Sequence, residues 1–325
     1  MSYSKKILFI LLILCILSFT ACGVRSDNID VTGAKDHVVV ITKSTVSTYW
    51  KTTFAGARAA ATEYNLDISF QGPDNEEDYE SQNDMIRQAV ADGAKAIIFS
   101  AVDYNANAEA VNEAIDQGVK VVNIDSDVNS DKVSCRISTD NYKAGEMVGQ
   151  ALLESGQDKL RVGIVNFAAI TDNGQKREKG FRDYVAENDN VELVAGINVN
   201  STMEDAKAGT LKMLREYPQI NAIVTFNEWT SLGVGYAIQE MNLAERTYVV
   251  AFDSNVVCVD MLETGEVDAL IVQNPYAMGY LGVEYAAKLI NGENPKQKLI
   301  DTTTALITRE NMFEPENQRV LFAFE

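Results

Sequence analysis

Histidine is almost absent: the 325-residue chain has one, His37. Serine–histidine–aspartate and cysteine–histidine catalysis, and metal sites built on imidazole, are excluded everywhere except at that position. His37 falls on an expected first strand, where a structural role is sufficient. Phosphate-binding loops are missing as well. No GxxxxGK[ST] segment occurs, and Gly233-Val234-Gly235 lies inside a helical stripe without a third glycine, which reads as helix packing. The acidic cluster at 74–78 lacks the glycine and closing glutamate of an EF-hand loop and suits a solvated helix N-terminus. Basic residues are outnumbered, 28 Lys and Arg against 47 Asp and Glu, for a formal charge of -19. Such a surface repels a phosphate backbone, so nucleic acid is not an expected partner. There are four cysteines, with no CxxC pair and no metal-ligand spacing. Neither a metal nor a cofactor is expected.

Long apolar runs are scarce too. The only one, over 7–19, is shorter than the roughly 20 residues that span a bilayer as a helix. It follows Lys5 and Lys6 and gives way to Thr20-Ala21-Cys22-Gly23, the layout of a signal peptide. Phe19-Thr20-Ala21-Cys22 resembles the lipobox of bacterial lipoproteins, with Phe19 where leucine is usual. The resemblance implies cleavage before Cys22 and acylation of its thiol, and each buried methylene would add about 0.8 kcal/mol of membrane affinity. Residues 1–22 are therefore expected to be signal peptide and lipobox, and the polar stretch 23–36 a tether. The location implied is extracytoplasmic, lipid-anchored to the cell membrane. Cys15 leaves with the signal segment. Cys135 and Cys258 remain, as small buried apolar groups, free or paired with each other.

What the chain has is a long alternation of short β-branched runs and amphipathic stripes. Strands are expected at 37–42, 66–71, 96–100 and 120–124, with helices between them, the first carrying Trp50, Phe54, Ala57, Ala61 and Tyr64. Gly93 and Gly118 stand where helix C-caps belong. A second series adds strands at 161–166, 191–199, 222–226, 248–252 and 269–273, again with helices between. Near-continuous apolar strands alternating with helices predict an α/β fold of two doubly wound parallel-sheet lobes. The expected partition is 37–139 plus 274–302 for the first lobe and 140–273 plus 303–325 for the second. Crossings near 138–140, 273–274 and 302–303 would make a three-segment hinge.

In open α/β sheets ligands bind at the C-terminal strand edge. Tyr49 and Trp50 follow the first strand, Asp125 follows the fourth, and Asn227, Asp253 and Gln273 end or follow strands of the second series. Arg177 opens a helix there. Carboxylates, an arginine and amides can bind hydroxyls in pairs, and an aromatic face can stack on a sugar ring. Each residue also has a plainer use. Trp50 could be core, Asp125, Asn227 and Asp253 helix caps, and Arg177 a surface ion pair.

From about residue 37 to 307 the chain resembles the type I periplasmic sugar-binding proteins, the group containing ribose- and galactose-binding proteins. The matches are Tyr49-Trp50 with Phe54-Ala55-Gly56-Ala57, the 91–98 segment, Val122-Asn123-Ile124-Asp125, Thr139-Asp140-Asn141, Arg177-Glu178-Lys179-Gly180-Phe181, Tyr217-Pro218, Asn227, Val250-Ala251-Phe252-Asp253 and Gln273-Asn274-Pro275. The resemblance implies that Tyr49 and Trp50 stack the sugar, Asp125 and Asp253 accept from hydroxyls, and Arg177 donates. It further implies paired contacts from Asn227 and Gln273 and a second aromatic wall from Phe252. Ser47, Ser126 and Asp127 stand as additional contacts. At 126 this chain has serine where ribose-type proteins have arginine, and Ser47-Thr48 replaces Asn-Pro.

The function implied is a non-catalytic receptor that closes about its hinge on a small sugar or polyol and docks an ABC-transporter permease. The alternative is a sensory receptor coupled to a membrane histidine kinase or chemoreceptor. A lac-repressor-type regulator would need a DNA-binding helix-turn-helix where the signal segment stands. Two carboxylates could flank a glycosidic bond, but no hydrolase motif accompanies them, so a glycosidase is not expected.

Overall fold

The computed structural model describes residues 34–322. The signal segment, the Cys22 lipidation site and most of the tether lie outside the described residues. The first half of the chain forms β1 (His37–Ile41), α1 (Thr48–Glu63), β2 (Asp67–Gln71), α2 (Tyr79–Ala91), β3 (Ala96–Phe99), α3 (Ala108–Asp116), β4 (Lys120–Ile124) and β5 (Cys135–Thr139). There follow α4 (Asn141–Leu153), β6 (Leu160–Phe167), α5 (Asp172–Val185), β7 (Val191–Val199), α6 (Met203–Glu216), β8 (Ala222–Thr225), α7 (Glu228–Met241), β9 (Tyr248–Phe252), α8 (Val256–Thr264) and β10 (Ala269–Val272). The chain ends with α9 (Pro275–Ile290), β11 (Leu299–Thr302), β12 (Ala305–Thr308) and α10 (Pro315–Leu321).

These strands make two six-stranded sheets, in the orders β11-β5-β4-β3-β1-β2 and β12-β10-β9-β8-β6-β7. The first is parallel throughout, and the second is parallel except where β12 runs against β10. Both faces of each sheet are covered, as parallel sheets require. Along β1, Val38 and Val40 pack beneath α1 and α9, while Val39 and Ile41 face the opposite way with the residues of α2 and α3. The second sheet is sandwiched in the same manner. Burying each of these aliphatic side chains contributes about 1.5–3 kcal/mol.

Local chemistry sets the helix ends. Ser47, in extended backbone (φ -71°, ψ 160°), caps α1 by accepting from the Trp50 amide. Gly93 and Gly118, with φ of +81° and +92°, provide the left-handed turns after α2 and α3. α1 and α9 meet backbone to backbone. A Cβ on Gly56 would overlap the Tyr276 carbonyl, and one on Gly279 the Thr53 carbonyl.

The chain crosses between the sheets three times, after β5, after β10 and after β11. Side chains tie the crossings together. Thr139 Oγ1 donates to Gln273 Oε1 at 2.8 Å, Asn274 Nδ2 to Thr303 Oγ1 at 3.2 Å and Thr302 Oγ1 to the Ser138 carbonyl at 3.3 Å.

Some elements differ from the sequence reading. β5 is a strand that apolar periodicity does not reveal, and α10 is a short helix closing the described chain. α3 starts at Ala108, because Asp103 accepts the amides of Asn105 and Ala106 and holds a turn ahead of it. Cys135 and Cys258 are both buried and free.

Candidate functional site

In each sheet the strand order reverses beside one strand, between β1 and β3 in the first and between β6 and β8 in the second. Loops leaving neighbouring strands on opposite faces part there, opening a crevice at the C-terminal edge. The two crevices face each other across one cavity of about 30 Å³. From the first lobe come Lys43 and Ser47 after β1, Tyr49 and Trp50 at the head of α1, Glu76 from the β2–α2 loop and Asp125 after β4. The second lobe supplies Phe167, Asn173, Arg177, Asn227, Glu228, Trp229, Asp253 and Gln273.

Asp125 and Asp253 occupy equivalent places in the two lobes. Each follows a strand with a left-handed backbone, φ 56° and 69°, and each amide still donates to a neighbouring strand, to Ile137 and Ile271 respectively. Aspartate tolerates that conformation better than most residues. Neither caps a helix, since Asn255 caps α8. The turn aims both carboxylates back over the sheet edge.

Arg177 is 1% exposed and organises the second lobe's half of the site. Its Nε donates to Asn141 Oδ1 at 2.8 Å, Nη1 to the Phe226 carbonyl at 2.7 Å and Nη2 to Gln273 Oε1 at 2.6 Å. Gln273 Nε2 then donates to Asp253 Oδ1 at 2.6 Å. The guanidinium carbon lies 4.2 Å from the centre of the Phe252 ring. Burial pushes the Asp253 carboxyl up to about 6 against the lowering pull of Arg177. It pushes Glu228 up to about 7, with the Asp253 charge adding to the rise. The Tyr49 phenol is also raised, by burial and then by Asp125.

Bonds span the cleft. Glu228 Oε2 accepts the Tyr49 amide at 3.2 Å, and Asn173 Nδ2 donates to Asp125 Oδ1 at 3.3 Å. At the mouth, Ser201 Oγ donates to Glu76 Oε2 at 3.0 Å and its amide to Glu77 Oε1 at 2.9 Å. The Tyr104 amide donates to the Ile170 carbonyl at 3.1 Å. The two lobes are therefore closed on one another.

Residues 38–294 match the Periplasmic binding protein domain family, most of the described chain. The chain belongs to the periplasmic binding protein family. It is 27% identical over 288 residues to a D-ribose/D-allose-binding protein of Pseudomonas aeruginosa, covering 85% of this chain and 90% of that one. The solute-binding protein of a carbohydrate transporter from Agrobacterium radiobacter, solved with D-arabinose, superimposes with a TM-score of 0.85 at 28% identity, covering 89% of this chain and 99% of its own. An ABC transporter solute-binding protein from Agrobacterium vitis, solved with D-fucose, gives a TM-score of 0.84 at 30% identity, over 88% of this chain and 99% of its own. The two-lobed architecture is the type I periplasmic-binding-protein fold.

In this periplasmic binding protein Tyr49, Trp50, Asp125, Arg177, Asn227, Asp253 and Gln273 converge on the cavity, with Ser47 beside them. Several combine the cleft position with the plainer role the sequence also allowed. Asn227 caps α7 through Oδ1 and also donates from Nδ2 to Ser201 Oγ at 2.8 Å. Trp50 is 2% exposed, its Nε1 donating to Glu76 Oε1 at 2.9 Å. Phe252 is fully buried beneath Arg177, so it supports the arginine rather than forming a wall. Ser126 is also fully buried, and Asp127 turns away to a separate surface groove, paired with Arg136 at 2.8 Å.

A further reading needs correction. Glu76, taken with the solvated acidic cluster, is only 8% exposed and bonds Trp50 and Ser201. Its neighbour Asp78 does cap α2. Lys43, Asn173, Ser201 and Glu228 were missed. The available signal was their place just past or beside a strand end. Among the described residues, no group of three or more His, Cys, Asp or Glu side chains is arranged to hold a metal ion.

Proposed function

We propose that the protein is an extracytoplasmic receptor that captures a small sugar or polyol in its interlobe cleft and delivers it to the permease of an ABC transporter. The observation that carries this reading is the convergence, on one cavity between the lobes, of the Asp125 and Asp253 carboxylates, the bonded Arg177 and the edge-on pair Tyr49 and Trp50, whose ring centres are 4.9 Å apart. A sugar ring offers an apolar C–H face to Trp50 and hydroxyls that both donate and accept. Asp125 and Asp253 accept, Arg177 donates from the N–H groups left after its three bonds, and Asn227 and Gln273 contribute amides. Tyr49 and Ser47 complete the wall on the first lobe. Closure removes the ligand from water, which strengthens each bond. A micromolar ligand requires about -8 kcal/mol, within reach of a few charge-assisted hydrogen bonds less the cost of association.

The names of the relatives, binding and solute-binding proteins of sugar transporters, support a receptor rather than an enzyme. Lys5, Lys6, the short apolar run and Phe19-Thr20-Ala21-Cys22 support a lipid anchor at Cys22. Labelling with a radioactive fatty acid should mark the wild-type protein and not Cys22→Ser, and equal labelling of both would remove the anchor.

Thermal-shift screening tests the ligand class, with D-ribose, D-allose, D-arabinose, D-fucose and polyols set against amino acids and nucleosides. A ligand at a hundredfold its Kd stabilises by about 2.7 kcal/mol. At least one sugar or polyol should raise the Tm, and Trp50→Ala should abolish the shift. A response to amino acids or nucleosides alone would overturn the assignment.

A further inference from the structure

The groove that receives Asp127 lies outside the sugar cleft, beside the crossings after β5 and β11, and has a volume of about 270 Å³ against about 30 Å³ for the cleft cavity. Its floor is the face of three strands at one edge of the first sheet. Asn123 comes from β4, Arg136 and Ser138 from β5, and Leu299 and Asp301 from β11, with Arg136 beside Leu299 and Ser138 beside Asp301 in register. The starts of α4 and α5 close it from the second lobe, through Asp140, Asn141, Asp172 and Lys176. Asn123 is 1% exposed. Its Nδ2 donates to the Phe99 and Ser126 carbonyls at 3.0 and 2.9 Å. Its Oδ1 accepts nothing and, unlike the enclosed Ser126 Oγ, is open to the groove. A buried acceptor left unpaired is costly, so this atom calls for a donor from outside the chain.

The charges of the walls do not cancel. Asp127 is paired with Arg136 at 2.8 Å and Asp172 with Lys176 at 2.7 Å. Asp140 and Asp301, from two of the crossing segments, have no cation. Asp140 Oδ1 accepts the Lys143 amide at 3.1 Å, and the Asp301 carboxyl is raised by burial and then by the Asp140 charge. Four carboxylates against two cations leave an excess of two negative charges. Among the described residues no three carboxylates converge as a metal ion requires, so separated cationic groups on one molecule match these walls better than a metal does.

We propose that this groove is a second binding site, taking a small organic diamine, with one ammonium meeting Asp140 and Asp301 and the other reaching Asn123 Oδ1. A neutral diol leaves the two negative charges uncompensated, and a dicarboxylate adds to them. Both lobes wall the groove, so its shape holds only in the closed form. Asn141 joins it to the cleft, its Nδ2 donating to Ser138 Oγ at 3.3 Å and its Oδ1 accepting from Arg177 Nε at 2.8 Å. Diamine and sugar therefore favour the same closed form, and each strengthens the binding of the other. That coupling rests on the sugar reading of the cleft, whereas the diamine site does not.

The purified protein is titrated calorimetrically with 1,4-diaminobutane, 1,4-butanediol, succinate and Ca²⁺ in about 0.15 M salt, which screens diffuse attraction to the acidic surface. One diamine per chain should bind, at least about tenfold more tightly than the diol, the dicarboxylate or the metal. Asp301→Asn should weaken it by about tenfold with a Tm close to wild type, because that exposed carboxylate has no cation to lose. Asp260→Asn, which removes an exposed carboxylate outside the groove, should bind diamine as the wild type does. An absence of saturable binding, an equal loss in Asp260→Asn, or diol or Ca²⁺ binding as tightly as diamine would overturn the site. The titration is then repeated with D-ribose, D-allose, D-arabinose or D-fucose at saturation, where the Kd for diamine should fall by about fivefold. An unchanged or weaker Kd would overturn the coupling. If none of the four sugars binds, the sugar reading falls and takes the coupling with it, while the diamine titration still decides the site.

Discussion

Glu228 reaches across the cleft to the first turn of α1, where its Oε2 accepts the Tyr49 amide at 3.2 Å. A carboxylate of one lobe thus helps cap a helix of the other, where the helix dipole favours negative charge. That group is buried in the closed cleft, and burial raises its carboxyl from 4.5 to about 7 and that of Asp253 from 3.8 to about 6.

A pH dependence follows, and its sign is set by which form burial disfavours. Raised carboxyls hold protons more tightly in the closed cleft than in an open one, so closure takes up protons. Their contribution to closure is complete below the ordinary carboxyl range and is lost as pH rises toward about 7, levelling above it. Sugar affinity measured by calorimetry should fall by about tenfold or more between about pH 5 and about pH 8. Glu228→Gln should flatten the upper part of that profile. Binding independent of pH would contradict the burial of these groups.

Arg177 is fixed by three bonds to Asn141, Phe226 and Gln273 and by the Phe252 ring beneath it. Arg177→Met should therefore remove the donor from the Asn141 side-chain and Phe226 carbonyl oxygens and leave Gln273 Oε1 with Thr139 alone. A loss of about 3–5 kcal/mol in urea unfolding is expected. Arg177→Lys should recover little, because one ammonium cannot serve the fork of partners.

At the mouth, Ser201 joins Glu76 and Asn227 through one hydroxyl. Ser201→Ala should open the closed form faster while leaving the fold intact. Stopped-flow fluorescence should show ligand release about 5- to 10-fold faster with a Tm close to wild type, since the lost bonds are each worth about 1 kcal/mol. An unchanged release rate would mean the mouth contacts do not retain the closed form.

The contact between α1 and α9 allows no side chain at Gly56. Gly56→Ala should destabilise by about 1–3 kcal/mol and, by shifting α1, weaken ligand binding through Tyr49 and Trp50. Thermal unfolding and a sugar titration of the same variant would check both effects.

Much of this architecture was legible because its signals are local. Apolar runs followed by Asp125, Asn227 and Asp253 announce strand ends, and strand ends of parallel sheets are where sites form. β5 escaped because Cys135–Thr139 buries alternate residues only and has few apolar side chains to mark it. The reversed direction of β12 has no counterpart in periodicity, which is the same for parallel and antiparallel strands. Lys43, Glu76 and Glu228 were hidden for a different reason. A charge in a loop or at a helix start reads as solvated, whereas these three are buried where two lobes distant in sequence meet. Phe252 shows the converse, an aromatic at the right strand end whose ring is covered by Arg177.

The most direct test of the account is a crystal structure of the protein grown with whichever sugar of the thermal-shift panel raises the Tm most. The account predicts that sugar between the lobes, its ring against Trp50 and its hydroxyls within hydrogen-bond reach of Asp125, Asp253 and Arg177. Sugar density outside the cleft, with the Asp125 and Asp253 carboxylates untouched, would contradict it.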